Sequence, residues 1–270
     1  MAGAEAASSL GRRVATGLVL APLAIAALWL GGLPWAGLVA AAVLIMFNEW
    51  AAMHRLPTLL RRLGLGVLAA ILWLGWLRNW PEAMLTMGGG TGLAAIFARR
   101  YAPRQWQALA GGILYAAAPA LALLWLRAQP MGFYATLFVL LVVWGADIAA
   151  YFTGRAIGGP KLAPAVSPNK TWAGAVGGLA GAVLAGAVMA LIWPKYQVAS
   201  GFARLCLLAL PLAVASILGD LHESWLKRRA GVKDSGTILP GHGGVMDRLD
   251  GLVPTAVVAA LVFWRTGWTG

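Results

Sequence analysis

The stretch GFYATLFVLLVVWGADIAAYF, residues 132–152, decides the fold because it holds one charged side chain, Asp147, in 21 residues. A helix needs about 20 predominantly apolar residues to cross the hydrocarbon core of a bilayer. Eight other apolar stretches of similar or somewhat shorter length recur along the chain. The predicted spans are residues 14–32, 35–53, 64–77, 83–98, 108–126, 132–152, 173–193, 202–221 and 251–266.

The overall composition supports the same conclusion. Hydrophobic residues make up 60% of the 270 residues, charged residues make up 11%, and the mean hydropathy is +0.77. These values exclude an ordinary soluble domain. We therefore predict an all-α, polytopic integral membrane protein with about nine transmembrane helices, forming one membrane-embedded domain over residues 1–270. The first apolar stretch is longer than the core of a secretory signal, which favours an uncleaved first helix.

The basic residues of the chain are distributed unevenly between the two predicted sides of the membrane. The net charge is +12, which would be compatible with nucleic-acid binding if the basic residues were clustered on one surface. With a cytoplasmic N-terminus and nine alternating spans, sixteen of the 21 lysines and arginines fall on the inside and five on the outside. This bias is typical of membrane proteins. It predicts no nucleic-acid partner, a multi-pass protein of the cell (inner) membrane, and polar loops 153–172 and 222–250 on the cytoplasmic side.

A polar segment, GDLHESWLKRRAGVKDSGTILPGHGGVMDRLDG, interrupts the apolar pattern between residues 219 and 251. Carboxylates are ligands for Mg²⁺, and lysine and arginine bind phosphate oxygens, so this mixture predicts a site for a metal ion bridged to phosphate. The alternative is a solvated, salt-bridged loop between two membrane helices. The segment contains five of the nine acidic residues of the chain: Asp220, Glu223, Asp234, Asp247 and Asp250.

The first part of this segment predicts a polar helix face. Asp220, Glu223, Ser224 and Lys227 are spaced at i, i+3, i+4 and i+7, which places them on one side of a helix. Two carboxylates one turn apart are a plausible pair of metal ligands, with Lys227 and the following Arg228 available for phosphate. The alternative is an internal ion pair between Glu223 and Lys227, which makes Glu223 the weaker metal candidate.

The second part of the segment is rich in glycine. Glycine backbone can approach a phosphate closely and donate its N–H groups, so we expect Gly243 and Gly244 to lie near an anionic ligand, with His242 beside them as a donor. Asp247 and Asp250 follow at an i, i+3 spacing. Acids at a helix N-terminus are favoured by the helix dipole alone. The repeat of the Asp220 and Glu223 spacing nevertheless favours a shared metal site.

A second polar cluster follows the sixth predicted span. Asp147 lies inside the apolar stretch, where an ionised carboxylate costs about 2.5–3.5 kcal/mol and therefore indicates a cation, a donor or a water-filled cavity. Ser167, Lys170 and Thr171 offer hydroxyl and ammonium groups just before span seven. Ser167 or Asn169 is also a candidate N-cap, which is compatible with phosphate binding because a helix N-terminus attracts anions.

Three other features have simpler explanations. The small-residue segment GAVGGLAGAVLAGAV, residues 174–188, predicts close helix packing. Cys206 is the only cysteine and fits a small core residue. Glu49, in the second span, is either a structural partner for an interhelical donor or a residue near the membrane interface, and the sequence does not separate these two possibilities.

These motifs resemble the signature of the phosphatidate cytidylyltransferases, also called CDP-diacylglycerol synthases. The upstream cluster resembles the same family through Asp147, Tyr151, Gly154, Arg155, the KLAP run at 161–164 and SPNKTW at 167–172. The downstream signature is matched without insertion by Ser224, Lys227, Arg228, Lys233, Asp234, His242, Gly243, Gly244, Asp247, Arg248 and Asp250.

The resemblance implies the reaction CTP + phosphatidate → CDP-diacylglycerol + pyrophosphate, with Mg²⁺ as cofactor and a second cation as a further candidate. It also implies membrane lipid around the protein and a homodimer as the assembly. It implies a metal on Asp220, Asp247 and Asp250, with Glu223 as a further candidate. It implies Lys227, Arg228, Lys233 and Arg248 around phosphates, and substrate contacts from Asp147, Ser167, Lys170, Thr171, Ser224, Asp234, His242, Gly243 and Gly244.

Two alternatives remain open from the residues alone. A CTP-dependent polyprenol or phytol kinase would use similar acids and bases but would transfer the γ-phosphoryl group. A cation transporter would use Asp147 near the bilayer centre. Transporters commonly show internal repeats and polar residues at the midplane, whereas here the acids crowd one predicted rim.

Overall fold

The computed structural model describes residues 19–194, 199–238 and 243–267. Within these ranges the chain is almost entirely helical. The helices are α1 (Val19–Leu30), α2 (Gly32–Met53), α3 (Thr58–Trp76), α4 (Trp80–Leu85), α5 (Thr91–Tyr101), α6 (Trp106–Ala128), α7 (Gly132–Ile157), α8 (Trp172–Ile192), α9 (Ala199–Ala230), α10 (Met246–Leu249) and α11 (Leu252–Thr266).

Six of the described helices are long and apolar enough to cross a membrane, namely α2, α3, α6, α7, α8 and the greater part of α9. The apolar helices α1 and α11 are shorter. The fourth predicted span is found as a continuous helical stretch over residues 80–101, in which a π-helical turn, Thr86–Gly90, joins α4 to α5. The prediction of an all-α polytopic membrane protein is confirmed, and residues 14–18 of the first predicted span lie outside the described residues.

Helices α3 and α9 extend beyond the predicted spans. Helix α3 begins at Thr58, six residues before the predicted start, so Arg61 and Arg62 lie within its first two turns. Helix α9 continues to Ala230, nine residues beyond the predicted end of its span, and includes Pro211 in its interior. The apolar stretches therefore predicted where the spans lie, but they did not predict the polar turns by which these two helices extend further.

A short antiparallel hairpin lies between α7 and α8. Strand β1 (Lys161–Ala163) pairs with β2 (Ser167–Thr171), with Lys161 opposite Thr171. The N–H of Trp172 donates to the carbonyl of Pro160 at 3.0 Å, which closes the base of the hairpin. Prolines in this part of the chain disfavour helix because each lacks a backbone donor. The hairpin places Lys170 next to the start of α8.

The described chain separates into two compact units, and each is considered by itself. The first comprises the described residues through Trp125 together with Ala230–Leu249. Its helices pack through aromatic side chains against glycine: a Cβ on Gly64 would lie 2.2 Å from the ring of Phe47, and one on Gly112 would lie 2.5 Å from Trp50. Trp50 also donates from Nε1 to the carbonyl of Ala108 at 2.8 Å.

The second unit comprises Leu126–Arg229 and the described residues from Asp250 onward. Helices α7 and α8 cross at very close range, since a Cβ on Gly145 would lie 2.9 Å from the carbonyl oxygen of Gly181. Gly186 of α8 lies equally close to the backbone of Leu205 in α9. The small residues of 174–188 therefore serve close helix packing, as predicted. The expectation of a single domain stays a prediction.

Candidate functional site

The glycine-rich signature of the first unit is held by Glu49 of α2. The Glu49 side chain is buried, with 4% of its surface exposed. Its Oε1 accepts the N–H of Val245 at 2.9 Å, and its Oε2 accepts the N–H of Met246 at 2.8 Å. Oε2 also accepts the hydroxyl of Ser235 at 3.3 Å. Of the two possibilities left open by the sequence, Glu49 is a structural partner for donors elsewhere in the chain.

Asp247 holds the same segment by a second set of hydrogen bonds. Its Oδ2 accepts the N–H of Gly244 at 2.7 Å and the N–H of Ser235 at 3.0 Å. Asp247 lies in the first turn of α10, and both N–H groups that it accepts belong to residues that precede this helix. Asp247 therefore connects the residues on both sides of 239–242 through its carboxylate.

Gly243 and Gly244 are glycines for different reasons, one of backbone conformation and one of space. Gly243 has a φ of +80°, a conformation that side chains other than glycine rarely adopt. A Cβ on Gly244 would lie 2.1 Å from Ser235 Oγ and 2.5 Å from Glu49 Oε2. The expectation that the N–H of Gly244 is open to phosphate is wrong, because that N–H already donates to Asp247.

The charged residues around this segment differ in exposure. Lys233, Asp234 and Arg248 are exposed. Their positions suit contact with a ligand but do not identify it. His242 lies outside the described residues, and its predicted contact with substrate stays a prediction.

In the second unit, Lys170 on β2 forms an ion pair with Asp220 on α9. The side chains of both residues are partly exposed, at 25% and 33%. The hairpin is what brings Lys170 to the polar end of α9, fifty residues further along the chain. The two residues that the sequence assigned to separate clusters are therefore neighbours.

Asp250 and Asp147 extend this group of charges. Asp250 lies between α10 and α11, outside the membrane-spanning segments, and accepts the N–H of Gly251 at 2.8 Å. Burial, and next the negative charge of Asp220, raise the pKa of Asp250 to about 7, with a smaller contribution from Asp147. The Gly251 N–H and the Lys170 ammonium act in the opposite direction. The charges of Asp220, Asp147 and Lys170 therefore all act on Asp250.

The start of α8 is capped by a residue that the sequence placed among substrate contacts. The hydroxyl of Thr171 accepts the N–H of Gly174 at 3.0 Å, and the Thr171 side chain is buried. The expectation that Ser167 or Asn169 caps this helix is wrong, because the β2 strand continues to Thr171 and α8 begins only at Trp172. Ser167 lies at the start of β2, opposite Ala163.

The polar face of α9 contains the ion pair that was the alternative to a metal ligand. Lys227 Nζ lies 2.8 Å from Glu223 Oε2, and Glu223 is 1% exposed. This contact weakens the case for Glu223 as a metal ligand, as its i, i+4 spacing indicated. On the same helix Ser224 is partly buried and Arg228 is exposed.

The donor set of the second unit fits Mg²⁺ in its chemistry. Asp220 and Asp250 are hard oxygen ligands. Burial, and next the negative charge of Asp220, raise the pKa of Asp250, and a cation bound here would stabilise its ionised form. Among the described residues, no group of three or more His, Cys, Asp or Glu side chains is arranged around one point as a metal cage. Mg²⁺ does not require such a cage, since it is commonly held by one or two carboxylates together with substrate phosphates.

Sequence reasoning missed Ser235 and left Glu49 undecided. A carboxylate inside an apolar span was the available signal for Glu49, because a buried charge requires partners. Ser235 carried no comparable signal, since a serine between Asp234 and Gly236 is ordinary in a loop.

Apolar helices of spanning length, together with acids and bases gathered in polar segments, define a multi-pass membrane protein suited to an anionic substrate. The chain belongs to the cytidylyltransferase family, whose family model matches residues 11–265. The prediction of a nucleotidyltransferase from this family is therefore confirmed.

Individual relatives match over nearly the whole chain. A phosphatidate cytidylyltransferase of Brucella suis biovar 1 (strain 1330) is 42% identical over 261 residues, covering 94% of this chain and 93% of the relative. One from Pseudomonas aeruginosa (strain PAO1) is 35% identical over 288 residues, covering 95% and 98%. A third, from Haemophilus influenzae, is 45% identical over 129 residues, covering 45% and 42%.

Proposed function

We propose that this protein is a phosphatidate cytidylyltransferase that converts CTP and phosphatidate to CDP-diacylglycerol and pyrophosphate. The observation that carries the proposal is the end-to-end similarity to relatives of that name, at 42% identity over 94% of the chain. The charged residues of both units support it, because they lie in the segments where the signature of the family falls.

In the proposed reaction, a phosphate oxygen of phosphatidate attacks the α-phosphorus of CTP. A new P–O–P bond forms, the bond from the α-phosphorus to the bridging oxygen of the β-phosphate breaks, and pyrophosphate leaves. The attacking oxygen is already anionic near neutral pH, so the reaction does not require a strong general base. The principal barrier is the repulsion between two anions, and positioning and electrostatic stabilisation reduce it.

We assign the Mg²⁺ ligands to Asp220 and Asp250, because these carboxylates lie in one unit and the negative charge of Asp220 acts directly on Asp250. When bound, the ion neutralises charge on the triphosphate and on the departing pyrophosphate. Lys170, which pairs with Asp220, would bind a phosphate oxygen of the substrate. Asp247 stays a candidate ligand whose carboxylate also holds the signature segment.

Basic residues in the polar segments suit the remaining phosphates. Lys233, Arg228 and Arg248 are exposed, and Lys227 is held against Glu223. The topology that we propose places these residues on the cytoplasmic side of the inner membrane, where CTP is present, and phosphatidate enters from the bilayer. The homodimer belongs to the same proposal and rests on the family resemblance alone.

The proposal is tested with the purified full-length protein, phosphatidate, Mg²⁺ and CTP labelled separately on the α- or the γ-phosphate. We expect the α-label in the lipid product and the γ-label in pyrophosphate. Recovery of the γ-label in lipid would establish a CTP-dependent kinase and refute the proposal. Polyprenol in place of phosphatidate is the matched acceptor control and should receive neither label.

A further inference from the structure

We propose that Glu49 is a positioning residue for the signature segment, and that it sets the affinity of the site for CTP without touching the nucleotide. The inference rests on the proposed function, since it concerns the nucleotide site of that reaction. Glu49 is 186 positions or more from each of its hydrogen-bond partners in the segment, so the contacts are purely tertiary.

Glu49 contacts the signature segment on both sides of residues 239–242. Before them, the hydroxyl of Ser235 donates to Glu49 Oε2 at 3.3 Å. After them, the N–H groups of Val245 and Met246 donate to Oε1 and Oε2 at 2.9 and 2.8 Å. One side chain thus joins two parts of the chain that are about ten residues apart, and it fixes their separation.

The glycines on each side are explained by this carboxylate. A Cβ on Gly236 would lie 2.7 Å from Glu49 Oε1, and a Cβ on Gly244 would lie 2.5 Å from Oε2. Real Cβ atoms do not approach oxygen so closely, so a side chain at either position would displace Glu49 or the segment. Glycine at these two positions and glutamate at 49 are therefore parts of one arrangement.

The contacts of Glu49 are coupled to those of Asp247 through shared residues. Ser235 donates its hydroxyl to Glu49 and its N–H to Asp247. Gly244 donates to Asp247 and packs directly against Glu49. A change at Glu49 therefore moves the backbone that orients Asp247 and the exposed Lys233 and Arg248 on either side of it.

The chemistry of the donors requires a carboxylate at position 49. Both backbone partners of Glu49 are N–H donors, and each side-chain oxygen receives one of them. Glutamine has the same shape but replaces one oxygen by an NH₂ group. One of the two backbone N–H groups would then face another donor and lose its hydrogen bond. Glu49→Gln therefore changes the hydrogen bonding with little change in volume.

The test measures steady-state kinetics of Glu49→Gln in the full-length purified protein, with CTP and phosphatidate varied separately. We expect the KM for CTP to rise by about 10- to 100-fold, because small displacements of positioned groups have effects of this size. The KM for phosphatidate should stay within about twofold. The CTP-induced rise in melting temperature, measured without phosphatidate, should be lost at CTP concentrations that saturate the wild type.

Three results would overturn the inference: an unchanged KM for CTP, a loss confined to kcat, or an equal rise in both KM values. A general loss of folded protein lowers the apparent kcat and leaves the KM for CTP unchanged. A purely structural role of Glu49 is therefore distinguished from a positioning role by whether kcat or the KM for CTP changes. Thr91→Val is the matched control, since Thr91 in α5 is equally buried in the same unit and its hydroxyl forms no hydrogen bond with any described residue. Its kinetics should equal those of the wild type.

Ser235→Ala is the second variant if Glu49→Gln does not fold. It removes one donor to Glu49 Oε2 and keeps both backbone contacts, so the KM for CTP should rise about threefold, the size expected for one hydrogen bond. An unchanged KM for CTP in this variant would overturn the inference.

The activity of the wild-type protein tests the proposed function separately. If the wild type makes no CDP-lipid, the proposed function is wrong. If the wild type is active and the variants are unaffected, only the role of Glu49 is refuted.

Discussion

Lys170 on the β-hairpin is paired with Asp220 near the polar end of α9. The pair joins a strand that precedes α8 to a helix that follows it, and Asp250 and Asp147 lie close enough to interact with the same charges. The carboxylates of Asp220 and Asp147 raise the pKa of Asp250, and the Lys170 ammonium acts in the opposite direction. A bound cation would stabilise the ionised carboxylates further, and the first two predictions follow from this relationship.

The Asp220→Asn variant should lose at least about 100-fold in kcat/KM when assayed at limiting Mg²⁺. The substitution keeps the shape of the side chain and removes the charge that attracts both Lys170 and the ion. Activity is measured as CDP-lipid formed across a range of Mg²⁺ concentrations. Glu82→Gln is the matched control, because Glu82 is an exposed acid in the first turn of α4. This variant should have unchanged activity. Near-normal turnover of folded Asp220→Asn would remove Asp220 from the metal site.

The raised pKa of Asp250 predicts a pH-dependent stability of the Mg²⁺-free protein. The pKa is about 7 in the folded state and 3.8 as the ordinary value, so the folded state binds the proton more tightly. The contribution of Asp250 to stability is therefore complete below a pH of 3.8 and is lost progressively as the pH rises to about 7. The melting temperature in detergent should fall between these two pH values, and Asp250→Asn should make this fall smaller. Added Mg²⁺ should restore stability more at pH 8 than at pH 6, and equal restoration would contradict the assignment.

The inside bias of basic residues predicts the membrane orientation. Thr237 is exposed in the signature segment, unlike the buried Ser235, so a cysteine introduced there should react readily. In a Cys206→Ala background, Thr237→Cys should be labelled by an impermeant maleimide in inverted vesicles and not in intact cells. The single-substitution Cys206→Ala protein is the control for background labelling. Labelling from outside would refute the proposed topology.

The close crossing of α7 and α8 predicts that Gly181→Ala destabilises the protein. A Cβ on Gly181 would lie 2.3 Å from the carbonyl oxygen of Gly145, so two backbones would have to move apart. We expect a loss of about 1–3 kcal/mol, the usual cost of overpacking, measured as a lower melting temperature in detergent. Gly66→Ala is the matched control, since Gly66 lies inside α3 with open space around its Cβ position and alanine favours helix. Equal melting temperatures for the two variants would contradict this account.

The sequence by itself determined the class of fold and most of the candidate residues. Apolar stretches of bilayer length identify membrane helices because lipid offers no partner to backbone N–H and C=O groups, so each span must satisfy them internally. The i, i+4 pair of Glu223 and Lys227 was visible for a similar reason, since helical spacing brings those positions together. The family signature identified the candidate acids and bases of residues 224–250 by their order alone.

Only the tertiary structure decided which of these residues meet. Glu49 and Met246 are 197 positions apart, and no periodic pattern pairs them. Lys170 reaches Asp220 because an unforeseen hairpin turns the chain back before α8, which also makes Thr171 rather than Ser167 the helix cap. The N–H of Gly244 reads as open in the sequence and is occupied by Asp247 in the structure. Local spacing determines which groups a helix displays, whereas the pairing of distant donors and acceptors depends on how the elements pack.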